Sequence, residues 1–506
     1  PTIPVPLKTT PFDHQVRAYI IGTTLDSSAF LMEQGTGKTL AAIAVAGKRF
    51  MDCQVKRMIV MCPLSVMYVW KNEFEQHADF PFSIRICHGN PKKRLAAFAR
   101  SNPNELTVVV VNYDSVISRT RKERDEKGAV VKKVEIGGLA DQIIAWKPDL
   151  VLLDESQRVK EPDSKRSKLV HRIGDATTYK MILTGTPVGN SPLDIWSQYR
   201  FLDVRIFGDN YYRFRDEYAV LREMRVRAGI DKYGNPIFRT IKVVDGYKNL
   251  GQMTEKVHSI AYRVTKDEAL DLPPEIHQSI HCQLVASRPY YDAMKKDMAV
   301  EFCGMEVKAN MVLPQIMRLA EITGGFLPMK KDGVQEIVQV GTEKMDALVD
   351  FITYFPTNKK LVIFCRFTPE INAIVERLKS MDITVEKIDG SVPDPKVRND
   401  IIESFQHAQD PRVLVIQSQT GGLGITLHRA DTIVFYSGNE SLLDYEQAKA
   451  RVQRYGQTGD KVTYVHIVAK GTIDEKIVAV LRAKKDLANI VVDELLDDDE
   501  DVYDRS

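Results

Sequence analysis

No stretch of this 506-residue chain stays apolar for the ~18 residues that a membrane-crossing helix needs, so no membrane partner is expected. Cysteine is scarce. The six residues Cys53, Cys62, Cys87, Cys282, Cys303 and Cys365 are scattered without a C-x-x-C pair, which argues against a disulfide framework and against a zinc site. The opening PTIPVPLKTT lacks a charged-then-apolar signal pattern. The expected location is therefore intracellular: cytoplasmic in a bacterial or viral host, nuclear in a eukaryote. Net charge is also nearly absent, at a formal +2, but it is unevenly placed: Val491 to Ser506 holds eight acids and one Arg, which leaves +9 on the remainder. A basic body suits a polyanionic partner. The acidic tail reads as a solvated terminus, with competition for the basic surface or docking to a basic partner protein as alternatives.

What is present is ordinary globular material, 44% hydrophobic and 27% charged, in a chain long enough for at least two domains. Its organising stretch is FLMEQGTGKTL, from Phe30 to Leu40. An apolar strand runs into a tight glycine turn, Gly35 to Gly37, and an Ala-rich helix begins after it. That layout cradles phosphate: backbone N–H groups and the positive end of the helix face the anion, Lys38 reaches the β- and γ-phosphates, and the Thr39 hydroxyl holds Mg²⁺. The first Gly of the full G-x-x-x-x-G-K-[ST] pattern is replaced by Met32, leaving G-x-G-K-T. A plain helix-capping turn is the alternative reading.

Upstream, Gln15 carries an amide that can both donate to and accept from an adenine edge. Downstream, the apolar runs RMIVMCP, TVVVVNY, DLVLLDE and KMILTGTP alternate with helix-length segments, the pattern of a parallel sheet covered on both faces. Residues 1–200 thus read as one doubly wound lobe. Asp154 and Glu155 emerge at a strand's carboxyl end, where such sheets bind ligands; Asp154 suits Mg²⁺, and Glu155 suits orienting or deprotonating a water. From 201 to 340 the rhythm breaks into helical insertions and a linker. Arg205 to Arg227 mix with Tyr211, Tyr212, Phe214 and Tyr218, either as a nucleic-acid surface or as an amphipathic helix with its rings inward. Hairpins are expected around Tyr233 and from Arg121, and LDLPPEI reads as an extended linker.

A second doubly wound lobe follows over 341–490, built on KLVIFCR, TVEKIDG, RVLVIQS, TIVFYSG and VTYVHIV, and 491–506 is the acidic tail. This lobe has no cradle. It carries QAKARVQRYGQ instead, whose Gln447, Arg451 and Arg454 fall on one helix face by spacing, with the two Arg as candidate arginine fingers for a γ-phosphate. The fold class expected is α/β, two parallel-sheet lobes with helical and hairpin insertions.

The series MEQGTGKT, MCPLSVMYVWKNEF, VVNYDSV, DESQRVKEPDSK, LTGTPVGN, FCRFT, KIDG, QTGGLGITLHRAD, QAKARVQRYGQT and GTIDEKI resembles helicase superfamily two, and within it the Swi/Snf-type ATP-dependent DNA translocases. The resemblance implies RecA-like lobes and use of ATP and Mg²⁺. It also implies that Gln15 contacts adenine, that Gly35, Thr36, Gly37, Lys38 and Thr39 hold phosphates and Mg²⁺, and that Asp154 and Glu155 serve metal and water. Gln447, Arg451 and Arg454 would face the γ-phosphate, while Pro63, Ser65, Asn112, Tyr113, Thr420 and Gly422 would line a track for double-stranded DNA. Two residues depart from the pattern: Gln157 stands where a His is usual, and Ala450 where an acid is usual. A strand-separating DNA or RNA helicase and a non-motor ATP switch or scaffold are the competing expectations.

Overall fold

The computed structural model describes residues 5–492 apart from 125–129, 137, 231–232, 234–235, 271, 304–308, 332–333, 393, 419–425, 455 and 458. The chain divides into two compact units, residues 1–221, 244–270 and 486–506 in one and residues 222–243 and 271–485 in the other. No helix among the described residues is long and apolar enough to cross a membrane.

The first unit is built on seven strands: β1 Ser27–Met32, β2 Arg57–Cys62, β3 Phe82–Cys87, β4 Leu106–Asn112, β5 Leu150–Asp154, β6 Tyr179–Leu183 and β7 Ala261–Val264. They lie in the order β7-β1-β6-β5-β2-β4-β3, and every pairing is parallel. The apolar runs are continuous because both faces are covered. Residues of one parity, Val60, Val108, Val110, Leu150 and Leu152, pack on the helices α1 Asp13–Thr24, α2 Lys38–Met51 and α3 Met67–His77, and the other parity, Ile59, Val109, Val151 and Ile182, is equally buried. Each such aliphatic side chain contributes about 1.5–3 kcal/mol by leaving water.

The second unit repeats the plan with β8 Glu275–Cys282, β9 Leu361–Cys365, β10 Val385–Ile388, β11 Val413–Gln417, β12 Thr432–Phe435 and β13 Val462–Ala469, in the order β8-β13-β12-β9-β11-β10, again all parallel. Ile363, Val415 and Val434 pack toward one face, and Phe364, Leu414 and Ile433 toward the other, where α4 Leu442–Val452 lies. The helix α5 Ile473–Val492 follows β13. The LDLPPEI segment, expected as a linker, leads directly into the edge strand β8.

Both expected hairpins are antiparallel ribbons, Arg119–Arg124 with Val130–Ile136 and Ala219–Ile230 with Pro236–Tyr247. The Arg- and aromatic-rich segment resolves into two parts. The helix Tyr211–Tyr218 turns Phe214 and Tyr218 into a ring cluster with Phe207, so those rings are core. Arg222, Arg225 and Arg227 lie on the ribbon strand, not on a continued helix. The acidic tail lies outside the described residues from 493 onward.

Candidate nucleotide site and nucleic-acid track

Because every strand of the first sheet runs the same way, the residues that follow them surface along one edge. After β1 the chain turns through Gly35 at φ +91° and Gly37 at φ +81°, backbone that glycine adopts without a Cβ penalty. A Cβ on Gly35 would meet nothing, which leaves that side open to a ligand, whereas one on Gly37 would sit 2.0 Å from Gln15 Nε2. The loop is fixed from below. His14 Nε2 lies 2.8 Å from the Thr36 carbonyl, which also accepts from Gln15 Nε2 at 3.2 Å, and Gln15 Oε1 accepts the Phe12 N–H at 2.9 Å. Gln15, expected at an adenine edge, thus has both ends of its amide turned onto backbone and braces the loop. The buried Thr36 hydroxyl donates to Glu33 O at 2.8 Å, and Lys38 Nζ donates to Met32 O at 2.9 Å and Glu33 O at 3.0 Å. Lys38 and Thr39 open α2, a 14-residue helix whose N-terminus carries the positive end of the helix dipole.

Asp154 ends β5, and Glu155 follows in left-handed backbone at φ +54°, a conformation that costs an L-residue about 1 kcal/mol or more. Burial and the neighbouring Glu155 carboxylate push Asp154 up to about 7, against the pull of the Trp70 indole and the Lys38 ammonium. A buried carboxyl raised in this way beside a second carboxylate is what a bound divalent cation would relieve, so the residues fit one. Glu155 accepts from Gln157 Nε2, Gln157 Oε1 accepts from the Thr184 hydroxyl at 2.8 Å, and Thr184 Oγ1 accepts the Thr186 N–H at 3.0 Å. The end of β6 is thereby tied to the carboxylate beside it.

The expected track residues part company. Ser65 is exposed in the turn Leu64–Val66, with Leu64 and Tyr68 exposed one turn apart beside it, while Pro63 is buried. The Asn112 side chain caps the next turn by accepting from Asp114 N at 2.7 Å. Tyr113 is a correction: it is 2% exposed, and its hydroxyl donates to the Asp154 carbonyl at 2.8 Å, so its ring is not offered to a polyanion. Trp70, which sequence reasoning did not single out, donates its indole N–H to Asp154 Oδ2 at 2.9 Å. Thr420 and Gly422 lie outside the described residues.

In the second unit Gln447 and Arg451 sit on α4, but the helix ends at Val452 and Arg454 lies past it, so the two Arg do not share a helix face. The cause is local capping. Leu427 N–H takes the Arg451 carbonyl at 2.8 Å, and the Gln457 amide takes the Ala430 and Val452 carbonyls. Arg454 Nη1 donates to Thr426 Oγ1 at 2.8 Å.

The family model of the SNF2-related domain matches residues 27–323, and that of the helicase conserved C-terminal domain matches residues 343–456. The chain belongs to the SNF2-related family. Among relatives of this SNF2 chain, the TATA-binding protein-associated factor MOT1 of Saccharomyces cerevisiae is 25% identical over 91% of the chain and 26% of its own length. An uncharacterized ATP-dependent helicase of Mycoplasma pneumoniae is 25% identical over 90% of the chain and 39% of its own length. The SWI2/SNF2 ATPase core of Sulfolobus solfataricus in complex with dsDNA aligns over 96% of this chain and 93% of that one, at 22% identity and a TM-score of 0.42. The chain therefore spans about a quarter to two-fifths of the curated relatives' length. SNF2 membership carries nucleotide use with it. Of this chain's two departures from the SNF2 pattern, Gln157 has a physical account, since its amide bridges Glu155 to Thr184. Ala450 is buried on α4, and nothing in the structure explains its replacement of an acid.

Proposed function

We propose that this SNF2 chain is an ATP-driven motor that moves along double-stranded DNA. The observation that carries the reading is the convergence on Asp154: Trp70, from the helix after the Ser65 turn, and Tyr113, beside Asn112, both hydrogen-bond to it. Two segments expected to touch DNA are thereby joined to the carboxylate expected to hold Mg²⁺. Lys38 and the N-terminus of α2 bind the phosphates, and Glu155, held by Gln157, orients the attacking water. Bound Mg²⁺ would neutralise charge on the β- and γ-phosphates, with Thr39 and Asp154 as its protein ligands. Arg451 and Arg454 serve as arginine fingers for the γ-phosphate. Grip on DNA is mostly to the phosphate backbone and is therefore salt-sensitive and tolerant of sequence. A partner protein and an intracellular setting, nuclear or cytoplasmic, belong to the same reading.

The test is ATP hydrolysis with duplex DNA, single-stranded DNA, RNA and no nucleic acid, together with displacement of a triplex-forming third strand. Duplex should stimulate most, and the third strand should come off without duplex opening. Stimulation by single strands alone, or opening of a long forked duplex, would move the chain to the strand-separating alternative. Turnover indifferent to every nucleic acid would favour an ATP switch or scaffold.

A further inference from the structure

The second sheet ends in an edge that is unusually open. β8 pairs with β13 from Glu275↔Val462 to Cys282↔Ala469, and among the described residues it has no strand neighbour on its other side. Val462 N donates to Pro274 O and Lys470 N donates to Cys282 O, so the even-numbered residues of β8 turn their main-chain groups inward to β13. The N–H and C=O groups of His277, Ser279 and His281 consequently face outward, and among the described residues they have no backbone partner. All three residues are exposed, and the strand carries neither Pro nor Lys, two of the usual guards of an edge.

Beside this edge lies a cavity of about 280 Å³, walled by Leu442 and Lys449 of α4, His466 of β13 and Leu481, Arg482 and Lys485 of α5. Its charge is positive on balance. Lys449 is satisfied by Glu275 at 2.6 Å, but Lys485 reaches only Glu446 at 3.8 Å, and Arg482 is exposed with no ion pair among the described residues. His466 is pushed down to about 4 by burial and neighbouring cations, so it adds a neutral ring at pH 7. On the opposite face of β8, Ile276 and Ile280 are half-buried and apolar.

We propose that the outer edge of β8 and this cavity form a docking site for an extended acidic segment of a partner protein, which adds to the sheet as a further strand. Main-chain hydrogen bonds to residues 277, 279 and 281 supply the grip. Alternate side chains of the guest point to opposite faces: carboxylates enter the cavity toward Arg482 and Lys485, and apolar side chains extend the Ile276–Ile280 face. A basic guest would meet like charge at the same place. The site uses none of the residues assigned to nucleotide or DNA, so it stands apart from the motor reading.

The experiment measures binding of a fluorescent octapeptide of alternating valine and glutamate to the full chain, against its valine–lysine counterpart. Binding of the acidic peptide at least tenfold tighter than the basic one is expected. Ser279→Pro deletes an outward N–H without touching the β13 ladder, and Arg482→Glu with Lys485→Glu inverts the cavity's charge on an exposed surface. Each should weaken the acidic peptide about tenfold or more, and the charge-inverted variant should come to prefer the basic peptide. Equal binding of both peptides, no binding, or affinity untouched by both Ser279→Pro and the charge inversion would overturn the proposal. So would concentration-dependent self-association abolished by Ser279→Pro, which would assign the edge to a second copy of this chain.

Discussion

The two parallel sheets share one plan, yet each buries a carboxylate raised to about 7 in a different way. Asp154, at the ligand edge of the first sheet, is raised by burial and by Glu155 next to it. Glu370 is raised by burial first, and Ser437, Lys344 and the Phe367 N–H pull against that shift. Glu370 sits in a closed polar joint, its Oε2 accepting from the Ser437 hydroxyl, near the ion pair of Lys344 with Asp474 at 2.8 Å, which also takes the Thr323 hydroxyl at 3.1 Å. The first arrangement leaves negative charge facing an edge where a ligand can compensate it; in the second, Lys344 compensates Asp474 within the lobe, and burial holds Glu370 toward its neutral form. A similar shift therefore marks a site in one region and a strut in the other, and the surroundings decide which.

The largest effects should come from breaking the open side of that comparison. Glu155→Gln should lower ATP turnover by on the order of 10³-fold while leaving ATP binding and the thermal midpoint near the parent's, measured by hydrolysis at saturating Mg²⁺ and ATP and by melting. Parental turnover in that variant would remove Glu155 from the reaction. Arg454→Ala and Arg451→Ala should each cost roughly 10³-fold or more in turnover with a much smaller change in ATP affinity, since a finger acts on charge that develops in the transition state. Equal loss of both quantities would mean a ground-state contact instead.

The closed side is tested through stability. Glu370 has a folded pKa near 7, above its ordinary 4.5, so the folded state holds its proton to higher pH than the unfolded state does. Stability should therefore fall as pH rises from about 4.5 to about 7 and then level off. Glu370→Gln should flatten that slope and leave the variant more stable than the parent at pH 8, by on the order of 1–3 kcal/mol. Urea unfolding at pH 5 and pH 8 makes the comparison, and identical slopes in parent and variant would refute it. The smallest effect concerns the link between track and site. Tyr113→Phe deletes only the hydroxyl that donates to the Asp154 carbonyl, worth about 1 kcal/mol, so duplex-stimulated turnover should fall three- to tenfold. Duplex affinity, read by fluorescence anisotropy, should hold; a drop in affinity with turnover retained would return Tyr113 to the DNA track.

Much of this protein was readable before any coordinates. The near-continuous apolar runs specified parallel strands, because only a strand buried on both faces tolerates apolar residues at both parities, and G-x-G-K-T and Asp154–Glu155 sit at the carboxyl edge, where those runs end. The weaker strands escaped. β7, AYRV, and β3, FSIRIC, are short or half-buried edge strands whose mixed residues carry no such signature. Spacing alone also put Arg451 and Arg454 on one helical face, since the three-residue interval cannot show that Leu427 and Gln457 cap the helix between them.

By itself, then, the sequence determined the buried strands, their alternation with helices and the family, all of which follow from local pattern and motif order. Only the tertiary structure decided what the side chains do. Gln15 braces the loop through its amide, Tyr113 is buried against Asp154, and Trp70 becomes a partner of a carboxylate 84 positions away. Those roles depend on which neighbours the fold brings within about 3 Å, and a hydrogen bond between distant segments leaves no periodicity in the chain for a reader to find.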